Sequence, residues 1–483
     1  MSQRRYLACD LGAESGRVIL GSFDGKKLSL EEIHRFPNGA TRLFGSLRWD
    51  VLRIFDEMKA GLKKAAASKA ASLSVDSWGV DYALFNSREP LLAPPFHYRD
   101  SRTEAPYARA MEHQKEIFEE TGIQFMAINT LYHFMAEWES GPHLPAGLFL
   151  NIADYFHYLL CGLPRAEESL ASTTQIYNPR ERAWSARLIE RFGFPKKIFP
   201  EIVPSGTRLG PLLPDVAAET GLDGAEVIAT CSHDTGAAVA AVPARRGEDW
   251  AYLSSGTWSL IGVELPAPLI NDEVRRRNFT NEAGCGGTTR FLKNIAGLWI
   301  LQECRRAWGD ANYAELNRLA TEAAPLRSLI NPAAARFLKP GDMPGKIASY
   351  CRETGQPVPE THGQFTRCIF ESLALIYRRH LDELETLTGR AIRTVHIVGG
   401  GSQSALLNQY AANAAGRAVL AGPVEATAIG NLLLQGVALG DIPSLDALRE
   451  IVENSFPVQT FQPLDGKLWA DARERFSKLD VLT

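Results

Sequence analysis

At 231–239 the chain reads CSHDTGAAV, which sets Ser232, His233 and Asp234 side by side. Written in a row they suggest a hydrolase triad, but adjacent side chains do not normally converge into nucleophile, base and orienting group. Those three are usually drawn from separate segments. No GxSxG elbow surrounds Ser232 either. Asp234 makes better chemical sense alone. It falls between an apolar run and a stretch of small residues, at or near the start of a helix whose dipole favours an ionised carboxylate. An ionised Asp can take a proton from a hydroxyl and orient its oxygen toward phosphorus. Helix capping by Asp234 or Thr235 is the plainer role, and it is compatible with catalysis. His233 and Thr235 flank the carboxylate and are candidates to grip neighbouring substrate hydroxyls.

Three glycine-containing turns offer complementary groups. In DLGAESGR, residues 10–17, Gly12 and Gly16 let backbone N–H groups approach phosphate oxygens. Ser15 adds a donor and Arg17 a charge. Asp10 stands at a strand end, where a carboxylate can hold Mg²⁺ directly or through water. The turn SSGTWS, residues 254–259, brings hydroxyls and a flexible backbone. GGG at 399–401 follows a strand and precedes a helix, which suits close backbone approach to a nucleotide. Each turn alone is more often an ordinary one; the pairing of two such hairpins raises the phosphate reading. None of the three matches the Walker A or GxGxxG pattern, which disfavours a P-loop NTPase and a dinucleotide dehydrogenase. DSWGVDY, residues 76–82, is dense in polar and aromatic groups on a turn, with Trp78 expected in the core. YRDSR, residues 98–102, reads as a surface Arg/Asp pair.

The elements that must carry these residues follow from pattern. Leu7 and Cys9 lead into the first turn, and Val18, Ile19 and Leu20 resume after it, giving strand, turn, strand. Val51, Ile54, Phe55, Met58 and Leu62 recur at helical spacing behind a cap at Asp50. ASLSVDSWGVDYALFN reads as two strands around a turn at Trp78 and Gly79. Residues 100–200 are largely helix and loop. The strand VIATC delivers the CSHDT run, and WAYLSSGTWSLIGVEL repeats the plan of the opening hairpin about half a chain later. The last third alternates: a long helix over 365–387, strand TVHIV, the GGG turn, helix SALLNQYAANAAGR, strand AVLAG and helix EATAIGNLLLQGVAL. Alternating strands and helices argue an α/β architecture with ligands near the strand C-termini. PARRGED near 245 is the natural boundary between residues 1–244 and 245–483.

With 483 residues the chain exceeds one compact core. A net charge of −4 gives no bulk attraction to nucleic acid or to acidic lipid. Asp10 interrupts the N-terminal apolar stretch too early for a signal peptide, and no apolar run reaches membrane-spanning length. Seven scattered cysteines without a CxxC fit reduced thiols in the cytoplasm. Spacing leaves open whether Cys351 and Cys368 pair.

Taken in order, DLGAESGR, DSWGVDY, YRDSR, SHDT, SSGTWS, LKNIAGLW and HIVGGGSQSALLNQ resemble the FGGY family of carbohydrate kinases over nearly the whole chain. The run GGGSQSALLNQ…AGPVEATAIGN carries the likeness most specifically. The resemblance implies two ribonuclease H-like domains of the actin/Hsp70 type with a nucleotide and sugar cleft between them. It implies ATP-dependent phosphorylation of a small-molecule sugar, with Asp234 as base. By the same likeness Ala13, Glu14, Ser15, Gly16, Arg17 and Thr257 contact the ATP phosphates, and Gln302 and Gly400 the nucleotide. Gly79, His233, Asp234, Thr235 and Asn294 line the sugar site, and Asp10 holds Mg²⁺ through water. The partners implied are sugar and ATP, with no nucleic acid and no membrane; oligomeric state is not implied. Near NTLYHFMAEW the chain departs from the family: His133 and Ala136 stand where many members carry Lys and Trp. Two rivals are another ketose kinase of the family and a catalytically idle sugar or nucleotide sensor on the same fold.

Overall fold

The computed structural model describes residues 3–86, 91–139, 146–245 and 247–479. They fold into two compact units. The first comprises Met1–Pro243, Glu264–Phe291 and Ala426–Ser455; the second comprises Ala244–Val263, Leu292–Glu425 and Phe456–Thr483.

The first unit is built on a six-stranded sheet ordered Thr207–Pro211, Glu226–Ala229, Ser72–Ser77, Arg4–Leu11, Ser15–Phe23 and Leu28–Pro37. Arg4–Leu11 lies in its middle, and Tyr6 to Cys9 are wholly buried. Such a strand, covered on both faces, reads as a continuous apolar run instead of an alternating one. It pairs antiparallel with Ser15–Phe23 and parallel with Ser72–Ser77, so Asp10 sits opposite Arg17 on one side and Asp76 on the other. The helix Val51–Lys64 packs beside the sheet, its start capped by Asp50, which accepts from the Arg53 N–H at 3.2 Å. Helix Asp234–Ala240 lies against helix Ala426–Ala438, where small residues let Gly430 rest on the Ala237 backbone.

The second unit repeats this plan. Its strands run Thr289–Ala296, along which the chain passes from the first unit, then Trp258–Leu265, Trp250–Ser255, Thr394–Val398, Ala418–Ala421 and Gln459–Phe461. The strand Trp250–Ser255 pairs antiparallel with the next in sequence and parallel with Thr394–Val398, as Arg4–Leu11 does in the first unit. The 27-residue helix His362–Thr388 and the helix Ala405–Ala415 pack against each other beside this sheet.

Three elements differ from the sequence reading. The segment around Trp78 holds two strands, but they do not pair. Ser72–Ser77 is locked parallel inside the main sheet, whereas Tyr82–Phe85 pairs with Leu148–Asn151. Val80, at φ +68°, turns the chain out of the sheet between them. The strand Leu28–Pro37 escapes pattern reading because its edge position leaves Glu31, Glu32 and Arg35 among its residues. The last two glycines of GGG already belong to a short 3₁₀ turn, Gly400–Gln403, and the helix begins only at Ala405, with the Ser404 hydroxyl accepting from the Leu407 N–H at 3.4 Å.

Candidate active site

In the first unit the strand Glu226–Ala229 delivers the loop that carries Ser232, His233 and Asp234. A buried carboxylate holds this loop. Glu167 accepts from the Ser232 N–H at 3.1 Å and from the Ser169 hydroxyl. The Ser169 oxygen in turn accepts from the His233 N–H at 3.0 Å. On the other side Ser77 N–H donates to the Ser232 carbonyl at 2.9 Å, tying the loop to the strand that leads into Trp78 and Gly79. The Ser232 hydroxyl is wholly buried and donates to the Thr230 carbonyl at 3.3 Å. It therefore faces no base, and no triad exists in the row.

Asp234 opens a helix of only seven residues, and its side chain keeps 32% of its surface exposed while His233 beside it is buried. Its Oδ1 accepts from the Thr235 N–H at 2.5 Å and the Thr235 hydroxyl at 3.2 Å. The expected net stabilisation of the ionised form does not hold. Desolvation raises the Asp234 pKa and outweighs the lowering by His233 and by the Thr235 N–H, with Asp10 raising it further. The His233 ring spans a charged network. Its Nδ1 lies 3.0 Å from Arg290 Nη2 and 3.3 Å from Glu282 Oε2, and its Nε2 lies 3.4 Å from Asp234 Oδ1.

Asp10 and Asp76 complete a carboxylate group around this point. Burial, then the charge of Asp10, push Asp76 well above the carboxylate range, with Asp234 adding to the rise. Asn431 Nδ2 donates to one Asp76 oxygen at 2.6 Å, whereas the other has no hydrogen-bond partner among the described residues. Arg17, expected at phosphate, forms an ion pair with Asp10 across the hairpin. Ala13, Glu14 and Ser15 make the turn, closed by Gly12 N–H to the Ser15 carbonyl at 2.9 Å and held by Asn38 N–H on the Glu14 carbonyl at 3.0 Å. A Cβ on Gly16 would overlap Cζ of the buried Phe36 ring, which would have to move to admit it.

Gly79 packs on Thr173, and Val80 N–H donates to the Thr173 hydroxyl at 3.1 Å. Trp78 is buried, its indole N–H donating to Asp81 at 2.9 Å, and the same carboxylate oxygen takes the Trp49 indole N–H at 2.5 Å. Burial pushes Asp81 up to about 7, against the lowering effect of these two donors. The Arg/Asp pair read in YRDSR is not formed. Asp100 is buried and caps a short turn through the Arg102 N–H at 3.0 Å, while Arg102 pairs with Glu137 at 3.4 Å. Turn formation next to a buried aromatic wall puts the two side chains to separate use.

In the second unit Gln302 Nε2 donates to the Thr257 hydroxyl at 3.2 Å, joining two of the residues read from sequence. Trp299 N–H donates to the Thr257 carbonyl at 3.1 Å, which fixes the hairpin turn to the start of helix Trp299–Ala307. The GGG turn lies on the same hairpin: a Cβ on Gly401 would overlap the Ser255 hydroxyl. Gly400 is exposed, with nothing within 4 Å of the place its Cβ would take. Asn294 is half-buried on the strand Thr289–Ala296.

Taken unit by unit, the polar groups of the second suit a nucleotide and the carboxylates of the first suit a nearby cation. Gln302 Oε1 is buried with no hydrogen-bond partner among the described residues, an acceptor suited to a ligand donor. The open space at Gly400 leaves its backbone accessible. The bare Asp76 oxygen and the crowding of Asp10, Asp76 and Asp234 favour positive charge nearby. Among the described residues no group of three or more His, Cys, Asp or Glu is arranged to ligate a metal directly.

Sequence reasoning missed Glu167, Glu282 and Arg290, and it flagged the run that begins at Asp76 without giving that carboxylate a role of its own. Asp76 carried a signal in principle, a carboxylate in the otherwise uncharged buried strand Ser72–Ser77, whereas Glu167 is flanked in sequence by Arg165 and Glu168 and carried none. Glu282 and Arg290 carried none, because their partner His233 is about fifty residues away in the chain. All seven cysteines are free thiols, Cys351 and Cys368 included. Among the described residues no helix is long and apolar enough to cross a membrane.

Comparison with known proteins places these observations. The model of the N-terminal domain of the FGGY family of carbohydrate kinases matches residues 5–241, and that of the C-terminal domain matches residues 251–439. Rhamnulokinase of Bacteroides thetaiotaomicron is 44% identical over 482 residues, spanning 98% of this chain and 99% of the relative. Rhamnulokinase of Enterococcus faecalis is 40% identical, spanning 97% and 96%. Among solved structures, gluconate kinase from Lactobacillus acidophilus superposes with a TM-score of 0.81 at 16% identity, covering 100% of this chain and 98% of that one. Glycerol kinase from Plasmodium falciparum with ADP superposes at 0.80 and 12% identity, covering 100% and 98%. At such identities the structural likeness speaks for the fold alone.

Proposed function

Because the chain belongs to the FGGY family of carbohydrate kinases, we propose that it transfers the terminal phosphoryl group of ATP to O1 of L-rhamnulose. The products are L-rhamnulose 1-phosphate and ADP. Full-length identity to proteins named rhamnulokinase supports the sugar, as do the runs WGVDY and LKNIAGLW in the sequence. The observation that carries the chemistry is Asp234: a partly exposed carboxylate at the start of the helix that follows a buried strand and its loop, flanked by His233 and Thr235.

In this reading Asp234 orients the O1 hydroxyl and takes its proton as the oxygen–phosphorus bond forms and the bond to the ADP oxygen breaks. The transition state is loose, so positioning matters more than basicity. A raised Asp234 pKa makes the carboxylate a stronger acceptor than an exposed one while leaving it less readily ionised in acid. His233, Thr235, Gly79 and Asn294 are assigned to sugar hydroxyls. Ala13, Glu14, Ser15, Gly16, Arg17 and Thr257 are assigned to the phosphates, which requires Arg17 to share its charge with Asp10. Gln302 and Gly400 are assigned to the rest of the nucleotide. Mg²⁺, when bound, supplies neutralisation of charge on the phosphoryl oxygens, and Asp10 would hold it through water. Free thiols throughout suit a reducing, ATP-containing compartment, the cytoplasm.

A coupled ADP-release assay with rhamnulose, fuculose, xylulose, ribulose and glycerol tests this. Rhamnulose should give the highest kcat/KM. Equal or better turnover of fuculose would assign the chain to a different ketose. Binding of ATP and sugar with no ADP formed from any of them would make it a sensor.

A further inference from the structure

Resting on the reading of His233 as a sugar contact, we propose that Arg290, neutralised by Glu282, is a positioning residue that fixes His233 in the tautomer with its proton on Nε2. Arg290 is wholly buried and Glu282 nearly so. A guanidinium cannot be deprotonated in a protein and has only donors. Its Nη2 lies 3.0 Å from His233 Nδ1, so that nitrogen must be the acceptor. The ring proton is left on Nε2, the atom 3.4 Å from Asp234 Oδ1.

Two features hold Arg290 in place to do this. Its Nε donates to the Ala283 carbonyl at 3.1 Å, which sets the plane of the guanidinium. Glu282 Oε2 lies 3.1 Å from the same Nη2 and supplies the opposite charge that a buried cation requires. Glu282 Oε2 also lies 3.3 Å from His233 Nδ1 and could hold a proton there. That alternative would set an Nδ1–H against the Arg290 N–H, donor facing donor, so the guanidinium decides the tautomer. The backbone of His233 is held independently by Ser169, leaving the ring orientation to Arg290.

The consequence is functional. A spacing of 3.4 Å makes at most a long, weak N–H···O contact. The Nε2–H is thus a donor beside the base, not consumed by it, and it can serve a sugar oxygen next to the hydroxyl that Asp234 deprotonates. With the other tautomer, Nε2 would be an acceptor facing a carboxylate and the donor would be lost.

The test is the ¹⁵N spectrum of ring-labelled histidine, with the His233 signals assigned by their loss in His233→Gln. In the wild-type protein, without substrates, Nδ1 of His233 should show the shift of a bare nitrogen and Nε2 that of a protonated one. The reverse pattern would overturn the proposal. The charge-neutral double variant Arg290→Met with Glu282→Gln should mix or reverse the tautomers. It should lower kcat/KM for the sugar roughly 100-fold, the scale of a misplaced contact, with KM for ATP little changed. Arg290→Lys, which still donates, should recover part of the loss. An unchanged tautomer and unchanged sugar kinetics in the double variant would refute the role. If that variant does not fold, the wild-type spectrum decides alone. Because the tautomer is read without sugar, failure of the substrate assignment would show in the turnover panel and leave this result standing by itself.

Discussion

The two hairpins that open the two sheets occupy the same topological place and carry different chemistry. In the first, Arg4–Leu11 and Ser15–Phe23 end on a charged pair, Asp10 with Arg17, beside Asp76 on the neighbouring parallel strand. In the second, Trp250–Ser255 and Trp258–Leu265 end on Ser255 opposite Ser259, with Ser254 just before it beside Val398 on the parallel strand. The working side chains there are hydroxyls and an amide, Thr257 and Gln302. Grouped carboxylates are costly, since each raises its neighbours' resistance to ionisation; at Asp76 burial raises the pKa first and the charge of Asp10 adds to it. Neutral donors and acceptors carry no such cost once they are hydrogen-bonded. The difference teaches that a repeated backbone can divide labour. The first unit concentrates charge, which suits the proton transfer proposed for Asp234, and the second offers a neutral surface suited to holding.

The sharpest way to break that division is Asp234→Asn. If proton transfer rests on the first unit, kcat should fall on the order of 10²- to 10⁴-fold, while KM for ATP changes by about twofold or less. Near-normal turnover would end the assignment of the base. The raised pKa gives a second readout with a definite sign. A carboxyl whose folded pKa lies above its unfolded one binds protons more readily when folded, so its contribution to stability falls as pH rises through that window. Asp234→Asn should therefore be relatively more stable than wild type at neutral pH. That advantage should vanish as the pH drops below the usual carboxylate range. Thermal unfolding of both proteins across pH checks it, and a constant difference would mean that Asp234 is not perturbed.

Much of this comparison was legible in the sequence because both hairpins are local. LACDLGAESGRVIL and YLSSGTWSLIGV each write strand, turn and strand within about fifteen residues. The helix at 51–64 announces itself by spacing and its Asp50 cap, and those at 362–388 and 426–438 by the alternation of helix and strand in the last third. Asp234 was legible for the same reason, as a polar break between a buried strand and a small-residue helix. What could not be read is what arrives from elsewhere in the chain. Glu167 holds the Ser232 N–H from 65 residues away, and Asn431 holds Asp76 from 355 residues away. The direction of the Asp234 shift was misjudged on the same ground. A helix start is visible in sequence, whereas the desolvation that outweighs it depends on neighbours brought by the fold. The Trp78 segment misled because a strand–turn–strand pattern does not say which partner each strand takes.

The next largest effect sharpens the second hairpin. Gly401→Ala would drive a Cβ into the Ser255 hydroxyl, whereas Gly400→Ala meets nothing within 4 Å. Overpacking of this kind costs about 1–3 kcal/mol, so Gly401→Ala should lower the unfolding midpoint and raise KM for ATP together. Gly400→Ala should leave stability within about 0.5 kcal/mol, as surface changes do. Equal midpoints for the two variants would show that the hairpin and the GGG turn are not in the close register described.

The smallest effect probes whether the second hairpin only holds. Gln302→Ala removes the Nε2 donor to Thr257 and the bare Oε1 acceptor. One net hydrogen bond is worth about 0.5–1.5 kcal/mol, so KM for ATP should rise roughly 2- to 10-fold at unchanged kcat, the pattern of binding lost equally from ground and transition states. If kcat fell instead, with KM unchanged, Gln302 would be acting only in the transition state. The neutral hairpin would then share in the phosphoryl transfer that its lack of charge argues against.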